Sequence, residues 1–185
     1  MSFLCAKFQK NDIPGLNRRM KMGQTVTSRE TILQEYHDCV EPLMTYLPWM
    51  EQHSTEALSV LYKEQGISEH SLSFPVYEGT LMQFIREAGK SSLMDRNYRY
   101  VYSRNRLGSH EDERLLIENA TWRTWDHLKG ILSWYVLGGR TKAVLWTEGA
   151  RANIYSLVLR KMQAIALALM GTQPHAGEND GSGQE

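Results

Sequence analysis

The sequence contains few cysteines, the residues whose disulfide bonds or zinc sites stabilise many small proteins. It has only two cysteines in 185 residues, Cys5 and Cys39, and neither belongs to a CxxC pair. This excludes a disulfide framework and a cysteine-rich zinc module, and it is typical of a reducing compartment. A chain of this length, with 42% apolar and 23% charged residues, can bury a core of its own and suits a single domain. We therefore expect one cytoplasmic domain.

Long apolar runs are also missing from the chain. No uninterrupted apolar stretch approaches the ~18 residues that a membrane span requires. The start, MSFLCAKFQKND, has too short an apolar stretch for a secretory signal. We expect no association with a membrane.

Catalytic and cofactor motifs are absent as well. The sequence has no phosphate-binding glycine loop, no dinucleotide fingerprint, no HExxH and no GxSxG. Its six histidines are scattered, with no two spaced three or four residues apart on a predicted helix, whereas a zinc site needs three or four converging ligands. We expect a protein that is not an enzyme and that binds no cofactor or metal.

The acidic run Glu111-Asp112-Glu113 leaves one enzymatic alternative open. One or two carboxylates are enough to hold Mg²⁺ together with waters and substrate phosphates, so the run is compatible with a metal-dependent nuclease. The same run follows Ser109 at the predicted start of a helix, where the helix dipole favours acidic side chains.

Charge is unevenly distributed although the 21 basic and 21 acidic residues cancel. Residues 1–29 hold six basic residues against one acidic residue, a net charge of +5. Residues 30–64 hold seven acidic residues against one basic residue, a net charge of −6, and residues 90–108 return to +4, with five basic against one acidic. Such blocks either steer charged partners or neutralise each other within the fold.

Apolar residues recur at helical spacing along most of the chain. A helix is predicted from 28 to 47, with Thr27 and Glu30 as a capping box, a kink at Pro42 and an end at Pro48. SLSFPVY is predicted to be extended, because the residue before a proline avoids the helical basin. Further helices are predicted from Thr80 as cap to Gly89, from Ser109 onward, and over 125–138 with a stripe of Trp125, Leu128, Ile131, Leu132, Tyr135 and Val136. Residues 141–170 are predicted to form either one helix or two helices, with Gly149 as the candidate break.

These patterns predict an all-α protein built as one compact helical domain over residues 27–170. The basic residues 1–26 are expected to form a flexible N-terminal arm. Residues 171–185, GTQPHAGENDGSGQE, are rich in glycine and polar residues and are expected to be disordered.

The segment RNYRYVYSRNR, residues 96–106, is the densest concentration of arginine and tyrosine. As a strand it would place its three tyrosines on one face; as a helix capped by Asp95 it would place Tyr98, Val101 and Tyr102 on one face and arginines on another. The helical surroundings favour the helix. It is then either a plain amphipathic helix or a face that binds a polyanion or an acidic protein surface. The candidate binding residues of the chain are Arg18, Arg19, Lys21, Lys90, Arg96, Arg99, Arg104 and Arg106.

Two stretches carry a resemblance to a known group of proteins. SLSFPVYEGTLMQFIREAGKSSLMDRNYRYVYSRNRLGSHEDERLLIENA and WDHLKGILSWYVLGGRTKAVLWTEG resemble an uncharacterised family of small proteins from gut Firmicutes, often carried on conjugative or phage-like elements. The resemblance covers about residues 70–170. It implies no catalytic residue.

Anti-CRISPR proteins, which inhibit Cas9-type nucleases, occur among such mobile-element proteins. The resemblance thus implies a partner protein, most concretely a Cas9-type nuclease–guide RNA complex whose DNA cleavage is blocked. A strict DNA mimic should be strongly acidic, whereas this chain is neutral, so a binder with one basic and one acidic face is expected. The alternatives are a DNA- or RNA-binding accessory protein of a mobile element and the metal-dependent nuclease.

Overall fold

A computed structural model describes residues 28–53, 58–63 and 73–171. The described part is 74% helical, which confirms the all-α prediction. The predicted N-terminal arm, with Arg18, Arg19 and Lys21, lies outside the described residues. So does the predicted tail, apart from Gly171.

The helices follow one another along the chain with a two-stranded sheet between the third and the fourth. They are α1 (Arg29–Glu35), α2 (Glu41–Met44), α3 (Leu47–His53), α4 (Gly79–Ala88), α5 (Tyr98–Asn105), α6 (His110–Glu118), α7 (Trp125–Gly138), α8 (Val144–Arg151) and α9 (Ile154–Gly171). A π-helical segment (Tyr36–Val40) joins α1 to α2, and a 3-10 turn (Trp122–Thr124) precedes α7. Strands β1 (Ser59–Lys63) and β2 (Ser73–Tyr77) pair antiparallel, with Val60 opposite Val76.

The helix predicted over 28–47 is divided by its prolines. Its cap is Ser28, whose Oγ accepts the Thr31 N–H at 3.1 Å; Thr27, the predicted cap, lies outside the described residues. The Glu41 N–H donates to the Tyr36 carbonyl five residues back, so the helix widens just before Pro42, which has no N–H to offer. The prediction that Pro48 ends the helix was wrong, because Pro48 lies in the first turn of α3, where a missing N–H costs nothing.

The extended segment was predicted and its partner strand was not. SLSFPVY contains β2, as expected, whereas no strand was predicted at the position of β1. Thr80 was the wrong cap for α4: the Glu78 carboxylate accepts the Leu81 N–H at 2.7 Å and holds the first turn. Gly89 ends α4 as predicted.

Helix α7 forms the centre of the core. All six residues of its predicted stripe are at most 1% exposed, which confirms the prediction. Residues 141–170 contain two helices, one of the two predicted alternatives, but the break is not at Gly149. Helix α8 runs through Gly149 and ends at Arg151, and the chain turns at Asn153, whose φ is 60°. Gly149 is required for close packing, because a Cβ there would lie 2.7 Å from the ring of Tyr155.

Helix α9 packs along α7 and completes the core. By length and composition alone its 18 residues are apolar enough to cross a membrane, and the core helix of a globular protein passes the same test. In this fold, 44% of the helix is buried, and its inward residues Tyr155, Val158, Leu159 and Met162 are fully covered.

Candidate binding groove between α5 and α7

The segment RNYRYVYSRNR folds as helix α5, which confirms the helical interpretation over the strand. Asp95, the predicted cap, lies two residues too early: its Oδ1 accepts the Asn97 N–H at 2.7 Å, and Asn97 occupies the cap position. Val101 and Tyr102 are buried and Tyr98 is half-buried against the protein, while the four arginines of the segment are exposed. The predicted inner face of Tyr98, Val101 and Tyr102 and the predicted exposure of the arginines are therefore correct, while the third tyrosine, Tyr100, is exposed.

Helix α5 lies very close to α7 because α7 has a glycine at the contact. A Cβ at Gly130 would lie 2.6 Å from Cγ2 of Val101, closer than packed atoms approach. Val101 thus sits directly on the α7 backbone. This contact sets the depth at which the aromatic residues of α5 meet α7.

An open groove of about 520 Å³ runs between α5 and the segment from the second half of α7 to the start of α8. One wall comes from successive turns of α5 and the other from α7, the following turn and α8. The lining residues are Tyr98, Arg99, Tyr102, Ser103, Arg106, Leu107, Trp134, Gly138, Thr141, Lys142 and Leu145.

Three aromatic rings line the groove. Tyr102 stacks on Trp134, with ring centroids 4.1 Å apart and planes inclined by 17°. Tyr98 meets Trp134 edge to face at 5.9 Å and 80°. These are the two arrangements that aromatic pairs prefer, so the rings hold each other in place.

Three cations line the same groove: Arg99, Arg106 and Lys142. The Arg99 guanidinium lies 6.0 Å from the centre of the Tyr98 ring, within reach of a cation–π interaction. Within the described ranges, none of the groove-lining residues is acidic, and none of the three cations forms an ion pair. The groove therefore presents a positive potential over an apolar surface.

Buried Glu113 holds the aromatic wall of the groove, formed by Tyr98, Tyr102 and Trp134, through its hydrogen bond with Tyr102. Its side chain is only 4% exposed and accepts the Tyr102 hydroxyl at 2.6 Å and the Tyr135 hydroxyl at 2.7 Å. Burial raises the pKa of Tyr102 well above its usual range, and the neighbouring Glu113 carboxylate raises the pKa further. Tyr102 therefore remains a protonated donor to Glu113, and its ring is held in one orientation against Trp134.

The three carboxylates of the acidic run point in different directions. Glu111 is exposed and lies 3.6 Å from Arg114, and Asp112 forms the capping box of α6 with Ser109. Glu113 points inward to the two tyrosines. Among the described residues, no group of three or more histidine, cysteine or acidic side chains is placed to hold a metal ion. The arrangement gives the run a structural role at the start of α6.

The groove contains only part of the predicted binding set. Arg99 and Arg106 line it, whereas Lys90, Arg96 and Arg104 are exposed but lie outside its lining. Arg104 faces the other side of α5, near His127. Burial lowers the pKa of His127, and the nearby charge of Arg104 lowers it further. Lys142 was missed, because no local pattern connects it to α5.

Helix α1, which begins the acidic segment, contacts α7 on the side away from the groove. The Glu35 carboxylate accepts the Trp125 Nε1–H and a Lys129 Nζ hydrogen bond, both at 2.7 Å. Trp125 and Trp134 are nine residues apart on α7 and, at roughly 100° per residue, project from opposite sides of the helix. The Glu35 carboxylate therefore pairs with Lys129 and does not neutralise the groove cations.

Comparisons with protein-family models, with curated proteins and with solved structures found no match for this chain.

Proposed function

We propose that this protein is a non-enzymatic binding protein whose groove holds an exposed, phosphate-bearing strand of a nucleic acid or nucleoprotein complex. The observation that carries this proposal is one concave site that combines an aromatic surface with three cations that form no ion pair with any residue the structure describes. Arginine's planar fork suits phosphate, and aromatic rings add stacking surface that is independent of sequence.

The more specific proposal concerns the partner. The resemblance supports a Cas9-type nuclease–guide RNA complex, whose cleavage of DNA the protein would block. Such complexes carry a guide RNA in a positively charged channel and need a conformational change before cleavage. The two-sided charge of this chain suits a binder that contacts RNA phosphates with the groove and a basic protein surface with α1–α3. A DNA- or RNA-binding accessory protein of a mobile element would use the same groove.

The test compares two triple variants that each remove three positive charges. One replaces the groove cations, Arg99→Gln, Arg106→Gln and Lys142→Gln. The matched control replaces the exposed neighbours outside the groove, Lys90→Gln, Arg96→Gln and Arg104→Gln. Both should melt close to the parent protein, because exposed charges contribute only about 0–1 kcal/mol to stability. Binding of single-stranded RNA should fall at least roughly tenfold in the groove variant, with a smaller salt dependence, and much less in the control.

Three outcomes would contradict parts of this proposal. Equal weakening in both variants would point to a diffuse charged surface, and unaltered binding in both would make α5 a plain solvated helix. Divalent-dependent cleavage of DNA or RNA by the purified protein alone would contradict the non-enzymatic assignment. Titration into a guide-loaded Cas9-type nuclease tests the partner: inhibition that the groove variant loses supports the anti-CRISPR proposal, and nucleic-acid binding without inhibition supports the accessory protein.

A further inference from the structure

We infer that the groove takes an unpaired nucleotide, with its base against Tyr98 and Trp134 and its phosphate among Arg99, Arg106 and Lys142. This rests on the proposed function and goes further, because it selects single strands over duplexes and assigns a role to the rings.

The shape of the site excludes a paired base. A duplex presents its phosphates on a convex outer surface and keeps its bases stacked inside, so its ring faces cannot enter a groove between two helices. The groove, at about 520 Å³, has the volume of a small-molecule site and accommodates one nucleotide. A single strand can turn one base inward while its phosphates remain at the rim.

The aromatic wall is already formed before a ligand arrives. Tyr102 is fixed by Glu113 and stacked at 4.1 Å on Trp134, and Tyr98 packs edge to face on Trp134. A base that enters the groove therefore meets ordered rings, and little side-chain entropy is lost on binding. Ser103 and Thr141 add hydroxyls to the lining, which can bond to a base edge or a sugar.

The charge of the site selects an anion. With three cations and no acidic residue among the described lining, the groove suits a phosphate diester better than a neutral ligand. An acidic peptide shares this charge but lacks a flat ring linked to each anion. We therefore treat the peptide as a competitor in the test.

The experiment measures fluorescence anisotropy of labelled strands of about 12 nucleotides, a length typical of single-strand sites. The probes are single-stranded DNA and RNA, the matching DNA duplex, and an abasic strand with the same phosphates. We expect single strands to bind about tenfold more tightly than the abasic strand, the effect of one lost stacking contact, and more tightly than the duplex. Trp134→Leu, with circular dichroism as the folding check, should bind the normal and abasic strands equally.

The outcomes separate this inference from the proposed function. If the normal strand, the abasic strand and the duplex bind equally to the parent protein, while the groove variant weakens all of them, the groove binds phosphate and the stacked base is wrong. If an acidic peptide of equal charge displaces the single strand as well as unlabelled DNA does, the inference is also wrong. If no strand binds at any salt concentration, both proposals fail. The abasic probe keeps the test decisive even if Trp134→Leu does not fold.

Discussion

At the scale of single residues, Arg106 is the most unusual position of the groove. Its φ is 54°, in the left-handed region, where it ends α5. Among the described non-glycine residues only Asn153 shares a positive φ, and asparagine tolerates it better than arginine does. A helix end of this kind normally carries glycine. The chain thus keeps a guanidinium at the groove in a backbone conformation that arginine disfavours.

Replacing Arg106 should separate stability from binding. Arg106→Gly should stabilise the fold by about 1 kcal/mol, because glycine adopts this conformation without a steric penalty, while binding of single-stranded RNA weakens. Thermal denaturation and fluorescence anisotropy measure the two effects. Asn153→Gly is the control, since it relaxes the other positive φ at the turn before α9 and should leave binding unchanged. A destabilised Arg106→Gly variant, or one that binds normally, would contradict this account.

At the scale of helices, the α5–α7 contact decides the shape of the groove. Gly130→Ala would force its new methyl group into Val101, at 2.6 Å from Cγ2. We expect a loss of about 1–3 kcal/mol from overpacking, although alanine is favoured over glycine within a helix by about 1 kcal/mol. Chemical denaturation measures the change. Adding Val101→Ala should restore part of the lost stability, which a double-mutant cycle would show as favourable coupling.

Gly79 offers the matched control for that cycle. Gly79 is the first residue of α4, whereas Gly130 lies inside α7, and nothing lies within 4 Å of a Cβ placed at Gly79. Gly79→Ala should therefore leave stability nearly unchanged or slightly raised. If Gly130→Ala behaves like Gly79→Ala, the close contact between α5 and α7 is not a determinant of the fold.

Periodicity in the sequence predicts where helices occur better than where they end. The stripe of α7 and the Ser109 start of α6 follow from local spacing and capping chemistry, and both were correct. Pro48, Thr80 and Gly149 were misleading, because a proline fits a first turn, a nearby carboxylate can replace a hydroxyl cap, and a glycine can serve packing instead of a break. The role of each of these three residues depends on neighbouring residues that are distant in the sequence or that local spacing does not identify.

Only one of the two walls of the groove could be predicted from the sequence. Its α5 wall was visible as alternating arginines and tyrosines within one segment. The other wall was not, because Trp134 and Lys142 reach α5 only through the packing of α7 and the turn that follows it. Trp134 gave only a weak indication of a role outside the core, because it lies outside the buried stripe of its helix.

At the scale of the whole molecule, four buried tyrosines with a raised pKa link stability to high pH: Tyr46, Tyr102, Tyr135 and Tyr155. Tyr102, Tyr135 and Tyr155 are 7%, 1% and 0% exposed, and burial raises the pKa of each; Glu113 raises the pKa of the first two further. They stay protonated in the folded protein, whereas in the unfolded chain they ionise near pH ~10. Above that pH the unfolded chain binds fewer protons than the folded one, so the free energy of unfolding falls as pH rises.

We expect this loss to reach about 1.4 kcal/mol per pH unit for each of Tyr102, Tyr135 and Tyr155 above about pH 10. Urea denaturation at a series of pH values from about 8 to about 11 measures it, together with phenolate absorbance. Tyr102, Tyr135 and Tyr155 should ionise only with cooperative unfolding, because burial raises the pKa of each. Tyr155→Phe should reduce the slope, because one of the proton-linked groups is gone. Smooth ionisation of all nine tyrosines without loss of helix would show that these side chains are not sealed inside the core.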